Sequence, residues 1–356
     1  MSPTPTPVPT DVLQYFNIDA KDLQVSILQQ GLINRTWKLS NAHGNFIVQR
    51  INDQVFKSPH DVAHNIVAIG QYLSAHFPQY LFTMPILAAD GNSMYTTADN
   101  SFYRAFHYID GSHAYNSVQT AAQAYEAAAQ FAGFTARLSG FDVSDLRMTI
   151  PSFHNLSLRY EQFLSALSHG NAERIRQAGE WIQKLKQYAY INEQYLAITQ
   201  NPEFKTRVTH HDTKISNVLF NRDNKGLCVI DLDTVMPGYF ISDVGDMMRT
   251  YLCPVTEEEK DLGKISVRKD VYHAIVKGYL SQMNEELSPA EKQHFFYAGC
   301  FMIYMQALRF ATDFLNNDMY YGAQYPNHNL VRAANQCTLL EQYVMLKEEL
   351  NKEIQG

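Results

Sequence analysis

Short apolar-rich stretches dominate the first third of the chain. Residues 23–30, 35–40 and 45–51 are short and apolar-rich between turn residues, a pattern that predicts strands broken at Gly31 and at 41–44. After Pro59 the period changes. Val62, Ile66, Ile69 and Leu73 recur at helical spacing. Residues 93–97 and 101–109 predict a second strand pair, joined at Asp99–Asn100 and ending at Gly111. From 118 onward the pattern is helical, over 118–138, 153–168, 172–200, a segment near Asp243, 267–284, 289–316 and 328–350. One interruption falls at 207–233, which reads as a loop and a hairpin pairing 218–220 with 228–230. Strands first and helices afterwards predict an α+β fold in two lobes, a β-rich one over 11–110 and a larger helical one over 111–356. Residues 1–10, alternating with proline, predict an extended, disordered tail.

Composition narrows the partners. With 46% apolar and 18% charged residues, a chain of 356 residues suits a globular protein with two cores. A net charge of -7 argues against a nucleic-acid binder, which needs a basic surface. Cys228, Cys253, Cys300 and Cys337 are widely spaced without a CxxC pair, which argues against a disulfide framework or zinc site and for a reducing cytoplasm. No apolar run reaches the roughly 18 residues of a membrane span, and the N-terminus lacks a signal-peptide pattern. Oligomeric state leaves no mark in the sequence.

The chemistry concentrates in Val208–Asn217, VTHHDTKISN, followed by an apolar strand and Ile230-Asp231-Leu232-Asp233. The hairpin returns Asp231 beside Asn217. Phosphoryl transfer needs such a set. One carboxylate orients and deprotonates a hydroxyl, while an amide and a second carboxylate give magnesium hard oxygen ligands beside the nucleotide phosphates. Asp212 is assigned as the base, and Asn217 and Asp231 as metal ligands. Strand alternation puts Asp233 on the face of Asp231, as an additional ligand candidate. Lys214 is within reach of a γ-phosphate, and His210 braces the loop. A lone HxD or strand-end IDLD is common; their order and spacing together carry the assignment. His211 receives no role, and Asp246 is equally well a helix-terminal charge.

HHDTKISN followed by VIDLD resembles the HxDxxxxN and DFG-type pair of protein kinases and of the aminoglycoside/choline phosphotransferase family. The resemblance implies an ATP- and Mg2+-dependent kinase with a two-lobed, protein-kinase-like fold. Ser242–Asp246 is similar to the family segment after the metal site, which implies that Asp243 tethers the catalytic loop. No APE-like activation segment follows, which points to a small-molecule acceptor. By the same resemblance, Gly31 falls in the phosphate-covering hairpin loop, and adenine is expected against Phe106–Ile109. The third strand, FIVQRI, places Gln49 where the family's phosphate-binding lysine is expected, so the adjacent Arg50 becomes the candidate cation. No glutamate precedes Glu126, leaving Asp61 or His64 as partners for that cation, or no pairing at all.

Further stretches, GLINRTWKL with IVQRIN, THHDTKISNVLF with VIDLDTVMPG, and RFATDFLNNDMYYG, are similar to the N-acetylhexosamine 1-kinase branch over residues 28–325. That implies an amino-sugar acceptor whose anomeric C1 hydroxyl is activated by Asp212. Arg309 and Asp313 are i,i+4 on one helix with Tyr320 and Tyr321 close behind, the planar polar groups and aromatic faces that sugars need. Asn34 reaches the acceptor if its loop folds over it. Two alternatives stand. One is a choline, amino-alcohol or aminoglycoside kinase, for which the acidic runs Glu257–Glu259 and Glu285–Glu286 look solvated. The other is a nucleotide-binding regulatory module without catalysis, suggested by the missing lysine and opposed by Asp212, Asn217 and Asp231.

Overall fold

The computed structural model describes residues 8–28 and 33–352. In chain order the elements are α1 (Thr10–Tyr15), β1 (Gln24–Leu28), β2 (Arg35–Asn41), β3 (Gly44–Arg50), α2 (Pro59–His76), β4 (Tyr95–Thr96), β5 (Phe102–His107) and α3 (Ala121–Arg137). There follow α4 (Leu156–His169), α5 (Ala172–Gln177), α6 (Gly179–Gln187), α7 (Tyr190–Gln200), β6 (Arg207–Thr209), β7 (Val218–Phe220), β8 (Gly226–Val229) and β9 (Met236–Gly238). The last are α8 (Phe240–Tyr251), α9 (Lys269–Met283), α10 (Pro289–Lys292), α11 (Phe295–Leu315), α12 (His328–Met345) and α13 (Lys347–Lys352). This is the expected α+β plan, an antiparallel sheet followed by a larger helical part.

Two compact units result. The first takes Met1–Ala114, Arg137–Pro151 and Ser216–Pro237; the second takes Tyr115–Ala136, Ser152–Ile215 and Gly238–Gly356. In the first, a five-stranded sheet has the order β1-β2-β3-β5-β4. Alternation sends Trp37, Leu39, Phe46, Val48, Tyr103 and Ala105 to one face, where α1 covers them with Val12, Leu13 and Phe16. Residues 8–10 therefore depart from the expected tail. Val8 is buried in that core and α1 starts at Thr10, directly after Pro9, because an apolar sheet face needs a cover.

The helix after Pro59 runs as expected and buries Val62, Ile66, Ile69 and Leu73. Asn65, fully buried on the same face, donates to the carbonyls of Arg147 and Val235 and accepts from the Arg147 amide. The 207–233 hairpin pairs Val218 with Val229 and Leu219 with Cys228. A bulge then shifts Phe220 opposite Gly226.

In the second unit the expected helix over 172–200 is three helices, α5 to α7. The backbone unwinds at Ala178 and Tyr188, where ψ is 7° and 10°. The core is α11, which is buried along nearly its whole length. Gly245 lets α8 approach it closely, since a Cβ there would run into the Ala298 carbonyl. The four cysteines are buried and free. Among the described residues no helix is long and apolar enough to cross a membrane.

Candidate active site

In the first unit, the sheet face opposite α1 borders a cavity of about 630 Å³. Ile27 of β1, Ile47 and Gln49 of β3, Arg104 of β5 and Ile66 of α2 form its walls. Phe106 and Ile109, the predicted adenine neighbours, lie on the same lining as Asn217 and Asp231, the predicted metal ligands. The hairpin links the last two, because the Asn217 carbonyl accepts from the Ile230 amide at 2.9 Å. Two oxygen donors suit magnesium, which fills its remaining positions with phosphate and water. Among the described residues no cluster of three or more His, Cys, Asp or Glu offers a fuller cage.

Three placements differ from expectation. Asp231 is left-handed, with φ 60° and ψ 59°, and Leu232–Thr234 is a 3-10 turn. The strand β8 has already ended at Val229, so strand alternation does not reach Asp231, and Asp233 does not share its face. Instead Asp233 is buried, with Oδ1 at 2.5 Å from Arg104 Nη1 and Oδ2 accepting from Asn34 Nδ2 at 2.6 Å. Asn34 also accepts from the Asn52 amide, so both ends of its side chain are engaged within this unit. Arg50 is exposed and absent from the lining, because alternation turns it away from the cavity that Gln49 faces. Gly31 lies outside the described residues.

In the second unit, α8 straps the loop that carries Asp212, the predicted base. Asp243 accepts from the backbone amides of His210 (3.0 Å) and His211 (2.7 Å). Asp246, one turn on, accepts from the Thr213 amide at 2.8 Å, and the Tyr251 hydroxyl donates to the Thr213 carbonyl at 2.6 Å. By sequence Asp246 is equally a site residue or a helix-terminal charge. The D-V-G-D spacing that puts both carboxylates on one helical face was the available signal. His210 is buried edge-on against Phe131. His211 adopts φ 66°, turning the chain into Asp212.

Asp212 Oδ1 lies 2.8 Å from Lys214 Nζ. Burial pushes the Asp212 carboxyl up, but the Lys214 ammonium outweighs it and holds the acid below its ordinary value. Burial likewise works against the Lys214 charge, yet Asp212 and Asp246 raise it overall. The pair is thus carboxylate and ammonium at neutral pH.

Asp243 behaves differently. Burial pushes it up to about 7, against the two amide donors and with the Asp246 and Asp212 charges adding to the rise. A folded value above the unfolded one means the native state binds the extra proton. Stability from this group is greatest below its ordinary range and falls as pH climbs towards 7. We expect unfolding free energies at pH 5, 6 and 7 to lose up to about 1.4 kcal/mol per unit on this account, with a flatter slope in Asp243→Asn. Equal slopes in urea titrations of the two proteins would refute it.

The remaining predicted residues sit on α11 and the loop after it. The Arg309 guanidinium lies 5.4–5.7 Å from the ring centres of Phe153, Tyr320 and Tyr321, and it donates to Gln306 Oε1 at 3.2 Å. Tyr321 accepts from Gln306 Nε2. Asp313 does not pair with Arg309. Its carboxylate accepts from the amides of Tyr320 (2.7 Å) and Tyr321 (2.9 Å) and from Asn329, so it shapes the loop rather than facing a ligand. Phe153 and His154, which no sequence motif marks, join Arg309 to the loop that carries Asp212, the His154 ring lying 5.1 Å from that of His211. Burial, then the nearby His211, Arg309 and Arg249, hold His154 well below its ordinary value, and it is neutral. A second line of charges runs Asp246–Arg249–Glu257–Arg332 and ends 5.2 Å from the Tyr321 ring.

A family model described as phosphotransferase enzyme family matches residues 24–265. Among solved structures, an aminoglycoside phosphotransferase from Alicyclobacillus acidocaldarius is 14% identical with a TM-score of 0.64, over 99% of this chain and 98% of that one. A microcompartment-associated aminopropanol kinase is 18% identical with a TM-score of 0.60, over 94% and 96%. A choline kinase from Cryptosporidium parvum is 15% identical with a TM-score of 0.53, over 95% of each.

Proposed function

The chain belongs to the phosphotransferase enzyme family, and we propose that it transfers the γ-phosphoryl group of ATP to the anomeric C1 hydroxyl of an N-acetylhexosamine. The observation that carries the acceptor class is the Arg309 wall. It is built from a guanidinium, an amide and three aromatic rings, and among the described residues Arg309 has no ion pair. Asp313, the nearby carboxylate, is consumed by backbone amides. A cationic acceptor such as choline or an aminoglycoside wants carboxylates; a neutral sugar wants planar donors and ring faces.

Asp212 accepts the proton of the attacking hydroxyl as the C1–O–P bond forms and the bond to the bridging β–γ oxygen breaks, releasing ADP. Lys214, fixed on Asp212, offers its remaining donors to the transferring group. Asn217 and Asp231 would hold Mg2+, which neutralises developing phosphate charge when bound. Asp243 and Asp246 keep the loop backbone still, so that Asp212 needs no reordering at the moment of transfer.

The test is ADP release with Mg-ATP and a panel of N-acetylglucosamine, N-acetylgalactosamine, glucose, galactose, choline and an aminoglycoside. N-acetylhexosamines are expected to exceed choline in kcat/KM by about 100-fold or more, the value of a matched against a mismatched polar site. Turnover led by choline or the aminoglycoside would overturn the acceptor.

A further inference from the structure

We propose that Arg104 is the phosphate-binding cation of this chain and Asp233 its carboxylate partner. Together they stand in for a lysine on the third strand and a glutamate on the next helix. This rests on the ATP reading above and deepens it.

Gln49 occupies the strand position where a lysine would point into the cavity, and the sheet register sets it directly opposite Arg104. Arg104 Nε and Nη2 donate to Gln49 Oε1 at 2.9 and 2.7 Å. Gln49 is itself oriented by donating Nε2 to the Thr36 hydroxyl at 3.1 Å. The guanidinium is therefore held at the tip of side chain 49, where the ammonium of a lysine at that position would end. Among the described residues Arg104 is the sole Lys or Arg lining the cavity that also holds Asn217 and Asp231. A polyphosphate in that cavity needs cationic donors, and the planar guanidinium fork suits two phosphate oxygens at once. Five N–H bonds are available on an arginine; Gln49 takes two and Asp233 faces Nη1, so donors are left for a ligand.

The partner is equally specific. Arg104 and Asp233 are 3% and 2% exposed as side chains, and a cation that deep requires a counter-charge. The other candidates are occupied elsewhere: Asp61 pairs with Arg147 at 2.7 Å, and His64 lies 2.9 Å from the Asp145 carbonyl. The α2 position facing the 231–235 turn is the neutral Asn65, bonded to the Val235 carbonyl. Asp233 comes instead from the turn that carries Asp231, so one ion pair fixes both the cation and the turn of the metal ligand. Its two oxygens are taken by Arg104 and Asn34, which leaves Asn217 and Asp231 as the metal pair.

Calorimetric titration of the full-length protein with Mg-ATP, Mg-ADP and adenosine tests this. Arg104→Gln is expected to weaken Mg-ATP and Mg-ADP by about 10- to 100-fold and adenosine by less than about twofold. The double variant Gln49→Lys with Arg104→Gln puts a lysine back on the strand, keeps Asp233 paired and is expected to recover most of the loss. Unchanged Mg-ATP affinity in Arg104→Gln, or an equal loss of adenosine, would overturn the proposal. If the single variant does not fold, the double decides: a folded double that binds Mg-ATP supports it, and a folded double that binds only adenosine overturns it. Wild-type protein that binds Mg-ATP but phosphorylates no acceptor overturns the acceptor reading alone. Wild-type protein that binds no nucleotide overturns both.

Discussion

Asp212→Asn is expected to lower kcat by about 10²- to 10⁴-fold, the range for loss of a positioned general base. The asparagine keeps the shape and can still accept a hydrogen bond from Lys214, so the loop should stay in place. The straps of that loop run to other atoms: Asp243 to the His210 and His211 amides, and Asp246 to the Thr213 amide. Mg-ATP affinity should move by less than about threefold, because neither Asp212 nor Lys214 lines the cavity proposed for the nucleotide. Calorimetry beside steady-state kinetics separates the two effects. A variant with full turnover would remove Asp212 as the base. One that loses Mg-ATP affinity in step with kcat would make it a binding residue.

Glu291→Ala should give the largest loss of stability. Glu291 is fully buried, with Oε1 and Oε2 at 2.5 and 2.9 Å from the Arg207 guanidinium. It also accepts from the amides of Lys205 and Ser288, and the second of these closes the capping box of α10. Removing it strands a guanidinium in the core and frees two amides, at a cost of about 3–5 kcal/mol. Arg207 opens β6, which leads into the loop of Asp212, so folding of this region and activity should fail together. A double variant, Arg207→Leu with Glu291→Leu, removes both charges and should recover much of the loss. Urea unfolding reads both. A single-variant loss below about 1 kcal/mol would mean that the pair is well hydrated.

Local pattern made much of this legible. The first three strands follow from apolar-rich stretches set between turn residues, and the buried face of α2 from its helical period. The order HxD, Asn, Asp made the phosphotransferase family legible as well. What stayed hidden depends on pairings distant in sequence. Arg104 reaches Gln49 across a strand boundary of 55 residues, and only the sheet register reveals it. Asn34 and Asp313 have the right chemistry for a ligand, but folding commits them to Asp233 and to the Tyr320–Tyr321 amides. The alternation that would pair Asp231 with Asp233 on one face is cut short, because the strand ends at Val229 and a left-handed Asp231 leads into a 3-10 turn. Such commitments leave no periodic trace, since bonds made by side chains distant in sequence obey the folded geometry and not spacing.

The most direct test of the central claim is phosphorus NMR of the product formed from N-acetylglucosamine and Mg-ATP. The account expects one new phosphate monoester whose phosphorus is coupled to the anomeric proton, appearing with stoichiometric ADP and absent with Asp212→Asn. Phosphate on C6 or another ring hydroxyl, or ADP and inorganic phosphate alone, would contradict it.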